Sequence, residues 1–256
     1  TDIEFKNTVN MSGVNSINWA RIISQIVYFF YAYFQVINKE EKKINFSVPT
    51  GNFGDIYAGY IAKEMGLPIN KLIIASNSND ILTRVFNTGI YKPLKAKQTI
   101  SPSMDIQIAS NFERLIFDIC SCDSDKTLKL MEDFIEQGEF KIKKEYLAKI
   151  HENFNSESVS EEETKSVIKK IFNDEKELID PHTAIGIAAA EKISLEGHIV
   201  VLGTADPSKF SDVVSKETGV EPKLPQNLNE ILNKEEKFEK LPKDLKKVKD
   251  YILSRA

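Results

Sequence analysis

The chain has 256 residues, 41% of them hydrophobic and 28% charged, with a formal net charge of −4. That length holds one large domain or two small ones with a substantial core, and the lack of any basic surplus argues against nucleic acid as a partner. The two cysteines, Cys120 and Cys122, stand too close for a comfortable bridge within one element and are too few for a metal site, so no metal and a reduced, cytoplasmic setting are expected.

The chain opens on Thr1 rather than Met and carries no signal peptide, which reads as a processed or truncated chain. Residues 1–13 have weak periodicity and read as a remnant of an upstream domain or an interdomain segment. Residues 15–38 then hold continuous apolar character at helical length, with Ser16 or Asn18 as N-cap and Asn38, Lys39 and Lys43 at the far end. Hydrophobicity on all sides predicts a buried core helix, with Phe29, Phe30, Tyr31, Tyr33 and Phe34 in the core. Its most apolar window, Ile22 to Ile37, is shorter than the roughly 20 residues a membrane span needs and includes Ser24, Gln25 and Gln35, so no membrane partner is expected.

Ile44 to Gly59, INFSVPTGNFGDIYAG, reads as a strand, a tight loop and a helix N-terminus. Gly51 and Gly54 bracket Asn52 and Phe53, so backbone N–H groups can surround a small anion with no Cβ in the way, and the helix dipole adds attraction. Phosphate is the natural guest; on the local pattern alone, a plain strand-to-helix turn accounts for the loop equally well. The helix runs to Glu64 and stops at Gly66. Ile69 to Ser76 is a second apolar strand, completing a βαβ crossover with a parallel sheet. Such sheets bind ligands at the carboxyl ends of their strands, where the Gly51 loop meets the polar run Ser76, Asn77, Ser78, Asn79 and Asp80.

Ile81 to Phe86 predicts a short helix closed by Gly89, and Lys92 to Asp105 is rich in loop residues. From Asn111 to Ile171 the pattern is helical and charged in three or four segments, among them Phe112 to Cys120 and Thr127 to Gln137. Ser156 to Glu163 reads as a helix start, with Ser160 as N-cap and Glu163 completing a capping box. Asp180 and Pro181 open another helix that ends near Ser194. His198 to Leu202 is a buried strand, followed by the loop Gly203, Thr204, Ala205 and Asp206 and by a helix from Pro207 to Lys216. The tail from Pro222 to Ala256 holds two amphipathic pieces that close the domain. The fold class is therefore α/β: an open, mostly parallel twisted sheet with flanking helices.

Six blocks in order, VNSINWAR (14–21), SVPTGNFGDIYAG (47–59), ASNSNDIL (75–82), SPSMDI (101–106), DPHTAIG (180–186) and LGTADPSKF (202–210), resemble the threonine synthase family. These are pyridoxal 5'-phosphate (PLP) enzymes of fold type II, the tryptophan-synthase β fold. The resemblance implies that Gly51, Asn52, Phe53, Gly54 and Asp55 cradle the cofactor phosphate and that Thr204 hydrogen-bonds the pyridine nitrogen. A neutral hydroxyl there can leave the nitrogen unprotonated. Asn15, Ser16 and Arg21 match the family's N-S-x-N-x-x-R segment, which binds the phosphate of O-phosphohomoserine; the planar arginine fork suits phosphate oxygens. Arg21 is expected to be buried among Trp19, Ile22 and Ile23, where its charge needs an anion. Asn77 and Asp105 are further candidates for the substrate pocket, with helix capping and loop polarity as competing accounts.

The implied layout is 1–13 upstream remnant or interdomain segment, 14–110 cofactor-phosphate part, 111–179 mostly helical insertion and 180–256 completing the same domain with a tail. Two departures stand out. Asp206 occupies a position where many relatives have histidine, and no segment resembles the one bearing the family's Schiff-base lysine, which lies upstream. Lys63, Lys71 and Lys209 do not match it, so no catalytic residue is assigned and the chain alone is expected to be nearly inactive. His182 is expected to make structural hydrogen bonds. The implied reaction converts O-phospho-L-homoserine and water to L-threonine and phosphate, in a cytoplasmic monomer or homodimer. Two alternatives stay open: another fold type II lyase such as a threonine or serine dehydratase, which would have no need of Arg21, and a non-catalytic remnant that keeps only the phosphate loop.

Overall fold

A computed structural model describes residues 2–13, 15–37, 43–225, 228 and 234–255. The expected start of the first block at Val14 and the expected helix end at Asn38 and Lys39 lie outside these residues. In chain order the elements are α1 (Ile3–Thr8), α2 (Trp19–Val36), β1 (Ile44–Pro49), α3 (Gly54–Glu64), β2 (Ile69–Ser76), α4 (Ile81–Thr88) and β3 (Ile90–Tyr91). They continue with α5 (Phe112–Ile119), α6 (Ser124–Gln137), β4 (Phe140–Lys141), α7 (Lys144–Asn153), β5 (Phe154–Ser158), α8 (Glu161–Glu175), α9 (Pro181–Ile193), β6 (Ile199–Val201), α10 (Ser211–Thr218) and α11 (Leu245–Leu253). Short 3-10 turns cover Pro102–Met104 and Pro207–Phe210.

The chain forms two units, one of residues 1–15 with 223–256 and one of residues 16–222. In the terminal unit, Asp2 caps α1 and pairs with Lys249 of α11, whose ammonium also lies over the Phe5 ring.

The larger unit is built on a four-stranded, all-parallel sheet in the order β5-β2-β1-β6. Strand alternation divides its side chains between two cores. Phe46 and Val48 of β1 and Leu72 and Ile74 of β2 face α2 and α3, while Ile73 and Ala75 face α8 and α9. On the second face, Ser47 cannot fill apolar space and instead donates its hydroxyl to the Gly186 carbonyl at 2.6 Å. Sheets covered on both faces read as unbroken apolar runs, which is why β2 is recognisable.

Three observations differ from the sequence expectations. Helix α2 buries only the stripe Ile22, Ile26, Phe29 and Tyr33, while Tyr31 and Phe34 are each 67% exposed, so it is amphipathic in packing though not in composition. Arg21, in its first turn, is exposed rather than buried. The stretch 111–179, expected to be mostly helical, also contains β5, a sheet-edge strand whose sequence FNSES lacks apolar alternation. Its membership comes from register with Leu72–Ser76 and from hydroxyl bonds: Ser156 lies 2.9 Å from Thr83, which lies 2.9 Å from Ser76. The Ser160–Glu163 capping box forms as expected just beyond it. Among the described residues no helix is long and apolar enough to cross a membrane, and no three His, Cys, Asp or Glu gather to hold a metal ion.

Candidate functional site

Because β1 and β6 run parallel and side by side, the loops that leave them, 50–53 and 203–206, emerge at one edge of the sheet. The first loop is anchored by Thr50, whose N–H reaches the Ala75 carbonyl at 2.7 Å and whose hydroxyl reaches the Val48 carbonyl at 2.6 Å. The Asn52 carbonyl turns outward and accepts both the backbone N–H and the side-chain amide of Asn111, at 3.0 and 3.1 Å. Gly51 is required by close approach: a Cβ there would sit 2.8 Å from the Ser103 carbonyl oxygen. The left-handed residue of the turn is Phe53, with φ of +64°. Its buried ring, 5.3 Å from Phe112 and 5.9 Å from Phe154, holds that strained backbone in place. Phe53 provides no side-chain cap, so the first N–H groups of α3 have no side-chain acceptor.

Two cavities adjoin this loop and share Gly51, Asn52 and Asp55. In the first, of about 130 Å³, Ser16, Arg21 and Gln25 face residues 50–56. The Arg21 guanidinium has no hydrogen bond or ion pair among the described residues. In the second, of about 180 Å³, Ser103, His182, Thr204 and Lys209 face the loop. Asp55 stands between them. Its Oδ1 is sealed from solvent with no hydrogen-bond partner, and burial pushes the carboxyl up to about 6.

The structure therefore brings Gly51, Asn52, Asp55 and Thr204 around one cavity, and Ser16, Arg21 and Phe53 to Asp55 around its neighbour. Asn77 and Asp105 lie in neither lining. The Asn77 amide donates to Thr99, Ser101 and Asp105, each at 2.9 Å, and Asp105 accepts from Asn79, from the Thr99 hydroxyl and from the Thr99 N–H. These side chains are fully occupied in fastening residues 97–105, which carry Ser103 to the Gly51 loop. Asn15 belongs to the terminal unit. Asp206, in the family's histidine position, accepts from the Ser208 N–H and hydroxyl; Ser208 holds its carboxyl below the ordinary value and turns it onto its own 3-10 turn.

One pocket residue reads from sequence as structural only. His182 is 3% exposed, its Nδ1 lies 2.8 Å from Asp180 Oδ1, and its Nε2 is sealed and without a partner on the lining of the Thr204 cavity. The signal is present in DPHT, where the N-cap aspartate can hold an imidazole two residues on, but any N-cap box with a histidine would look the same. A larger cavity, about 600 Å³, lies by Trp19 and Arg114; there Tyr57 and Asp118 bond each other, and Arg114 bonds Asn111 and the Ile17 carbonyl.

The family model described as "Threonine synthase, C-terminal" matches residues 183–252. The threonine synthase of Pseudomonas aeruginosa is 42% identical over 254 residues, covering 98% of this chain and 54% of the relative. That of Saccharomyces cerevisiae is 44% identical over 234 residues, covering 84% and 46%. A crystal structure of PLP-bound threonine synthase from Brucella melitensis superposes with a TM-score of 0.94 at 44% identity, covering 99% of this chain and 55% of that one. The chain thus spans about half the length of the curated relatives it matches. On sequence and on fold, the chain matches the C-terminal portion of threonine synthases over nearly its whole length.

Proposed function

We propose that this chain supplies the PLP-phosphate loop, the ring-nitrogen contact and the substrate-phosphate arginine of a threonine synthase, which converts O-phospho-L-homoserine and water to L-threonine and phosphate. The observation that carries this reading is the convergence of Gly51, Asn52 and Thr204 on one cavity, with Arg21 across the same loop. The residues suit the cofactor. Gly51 leaves room for an anion's close approach, the uncapped start of α3 offers N–H groups, and two sealed polar atoms, Asp55 Oδ1 and His182 Nε2, lack partners at the site. When bound, PLP supplies an electron sink for proton removal at the substrate's carbons.

The chain's own groups do the rest of what is proposed here. Residues 51–54 and the α3 dipole hold the cofactor phosphate, and Thr204 meets the ring nitrogen at the opposite end. Ser16 and Arg21 take the substrate phosphate, with Arg21 free to form a bidentate pair. Asn77 and Asp105 position the 97–105 segment rather than touch substrate. Asp55 would repel a neighbouring phosphate as a carboxylate, but with its carboxyl near 6 the protonated form is accessible and donates a hydrogen bond instead.

The test has two arms. Titration of the chain with PLP, followed by absorbance, is expected to saturate, with Gly51→Ala and Thr204→Val each weakening it. Arg21→Ala is expected to leave PLP affinity unchanged while weakening O-phosphohomoserine about tenfold to a hundredfold, the range of a charge-assisted contact. Co-expression with the lysine-bearing first half of the Pseudomonas relative is expected to give threonine and phosphate release. No PLP binding, or variants indistinguishable from the parent, would overturn the reading.

A further inference from the structure

Asn111 lines neither of the two cavities, yet it bonds to the chain segments behind both. It is fully buried at the start of α5, and its side-chain amide carries two hydrogens. The amide nitrogen donates to the Ser16 carbonyl at 3.0 Å and to the Asn52 carbonyl at 3.1 Å, and the Asn111 backbone N–H gives Asn52 a second bond at 3.0 Å. Arg114, one turn on, engages the remaining polar atom. Its Nε donates to Asn111 Oδ1 at 3.1 Å and its Nη2 to the Ile17 carbonyl at 2.8 Å, while the guanidinium lies 5.2 Å from the centre of the Trp19 ring.

Gly54 leaves the space for this reach. A Cβ there would stand 3.3 Å from the Asn111 amide nitrogen and 3.7 Å from the Ser16 carbonyl oxygen, so the amide passes directly over the first residue of α3. Asn52 and Gly54 belong to the loop that takes the cofactor phosphate in the reading above, and Ser16 to the segment that takes the substrate phosphate. Two phosphates on neighbouring segments repel each other. Segments that hold them therefore need a brace, and buried hydrogen bonds in a closed network resist such displacement.

We propose that Asn111, held by Arg114, is a positioning residue that sets the spacing between the cofactor-phosphate loop and the substrate-phosphate segment. The proposal rests on the two-phosphate reading and deepens it. Alignment of the substrate's reacting carbons with the cofactor ring depends on where the two phosphates are pinned, and one buried side chain fixes both pins without touching either ligand.

Nitrogen-15 NMR of the 256-residue chain labelled in its asparagine side chains tests this without mutation. PLP and O-phosphohomoserine, each added alone, are expected to shift the side-chain amide of Asn111. Asn111→Leu keeps the side-chain volume and removes its hydrogen bonds. It is expected to weaken O-phosphohomoserine about tenfold, and PLP only about threefold because the backbone N–H still holds Asn52. Arg114→Leu releases Ile17 but leaves the Asn52 bonds in place, and is expected to weaken O-phosphohomoserine alone. Gly59→Ala, which crowds Phe29 in the core, is the control for lost stability and is expected to change neither affinity. Should Asn111→Leu fail to fold, the amide shifts and Arg114→Leu decide. An Asn111 amide that moves with only one ligand or with neither, or an Asn111→Leu chain that binds both as the wild type does, overturns the proposal and leaves the two phosphate sites standing. A wild type that fails to bind one or both ligands overturns the proposed function, and this proposal with it.

Discussion

Asp55→Asn is expected to stabilise the protein at neutral pH, and by an amount that the structure sets. The Asp55 carboxyl is moved by desolvation from 3.8 to about 6. Its folded value is thus above its unfolded one, so between these values the native state binds more protons than the unfolded chain, and stability falls as pH rises through that window. Below about pH 4 both states are protonated and the group costs nothing. Above about pH 7 the cost is complete: at about 1.36 kcal/mol for each pH step between 3.8 and about 6, it comes to about 3 kcal/mol. The asparagine side chain has nearly the same shape and no charge, so the substitution removes that cost while keeping the packing against residues 50–56. Urea unfolding at pH 4, 5, 6 and 7.5 checks this, with histidine titrations cancelling in the difference between the two proteins. The variant and parent should agree at pH 4 and diverge by about 3 kcal/mol at pH 7.5. Equal stabilities at pH 7.5, or a difference that does not change with pH, would refute the assignment of a desolvated, unpartnered carboxylate between the two cavities.

Three further outcomes follow from contacts at the same edge and beneath it. Gly59→Ala would bring a Cβ within 2.6 Å of the Phe29 ring and 3.0 Å of Leu72, and is expected to cost about 1–3 kcal/mol in urea unfolding with little change in PLP affinity. Gly51→Ala meets a backbone carbonyl at 2.8 Å rather than a side chain; it is expected to displace Ser103 and weaken PLP more than it lowers stability, judged by absorbance titration beside thermal unfolding. Asp105→Ala leaves the Thr99 N–H and one Asn79 amide hydrogen without an acceptor and removes one of the three acceptors around the Asn77 amide, and is expected to cost about 3 kcal/mol. Hydrogen exchange should then accelerate in residues 97–105 before it does so in the central strands.

The parts of this protein that are legible in sequence are those where local chemistry and tertiary role agree. Strand β2 is apolar because both its faces are covered, α8 begins where Ser160 and Glu163 satisfy each other's backbone partners, and α4 stops where Gly89 takes φ of +73°. Where tertiary context decides, the pattern is silent. Nothing in FNSES marks an edge strand, because its pairing is secured by backbone register and by the hydroxyl chain through Thr83. The apolar surround of α2 suggests burial on every side, yet only the stripe against α3 and the sheet is covered. At the site, the glycine loop is visible, but two of its properties are not. The left-handed position falls on Phe53, which a rule favouring glycine would not select. Asn77 and Asp105 are polar residues next to a strand end, and sequence cannot distinguish those that meet a ligand from those that bind each other.

That last distinction also explains how the edge is built. Polar groups in this region fall into two sets: one closed on itself and one left open. Asn77, Asn79, Thr99, Ser101 and Asp105 satisfy one another and so fix residues 97–105 as a rigid wall. Arg21, Asp55 Oδ1, His182 Nε2 and the first N–H groups of α3 are left without side-chain partners among the described residues around the two cavities. Of these, Asp55 Oδ1 and His182 Nε2 are buried, and a buried polar atom without a partner costs stability; placing two such atoms along the rim of one loop is the pattern of a surface whose partners arrive with a ligand. Substitutions in the closed set should therefore lower stability first and binding only as a consequence. Neutral replacements of Arg21 and Asp55 should leave stability level or raise it while binding falls, whereas replacing His182 also takes a partner from the buried Asp180 carboxylate and should lower stability.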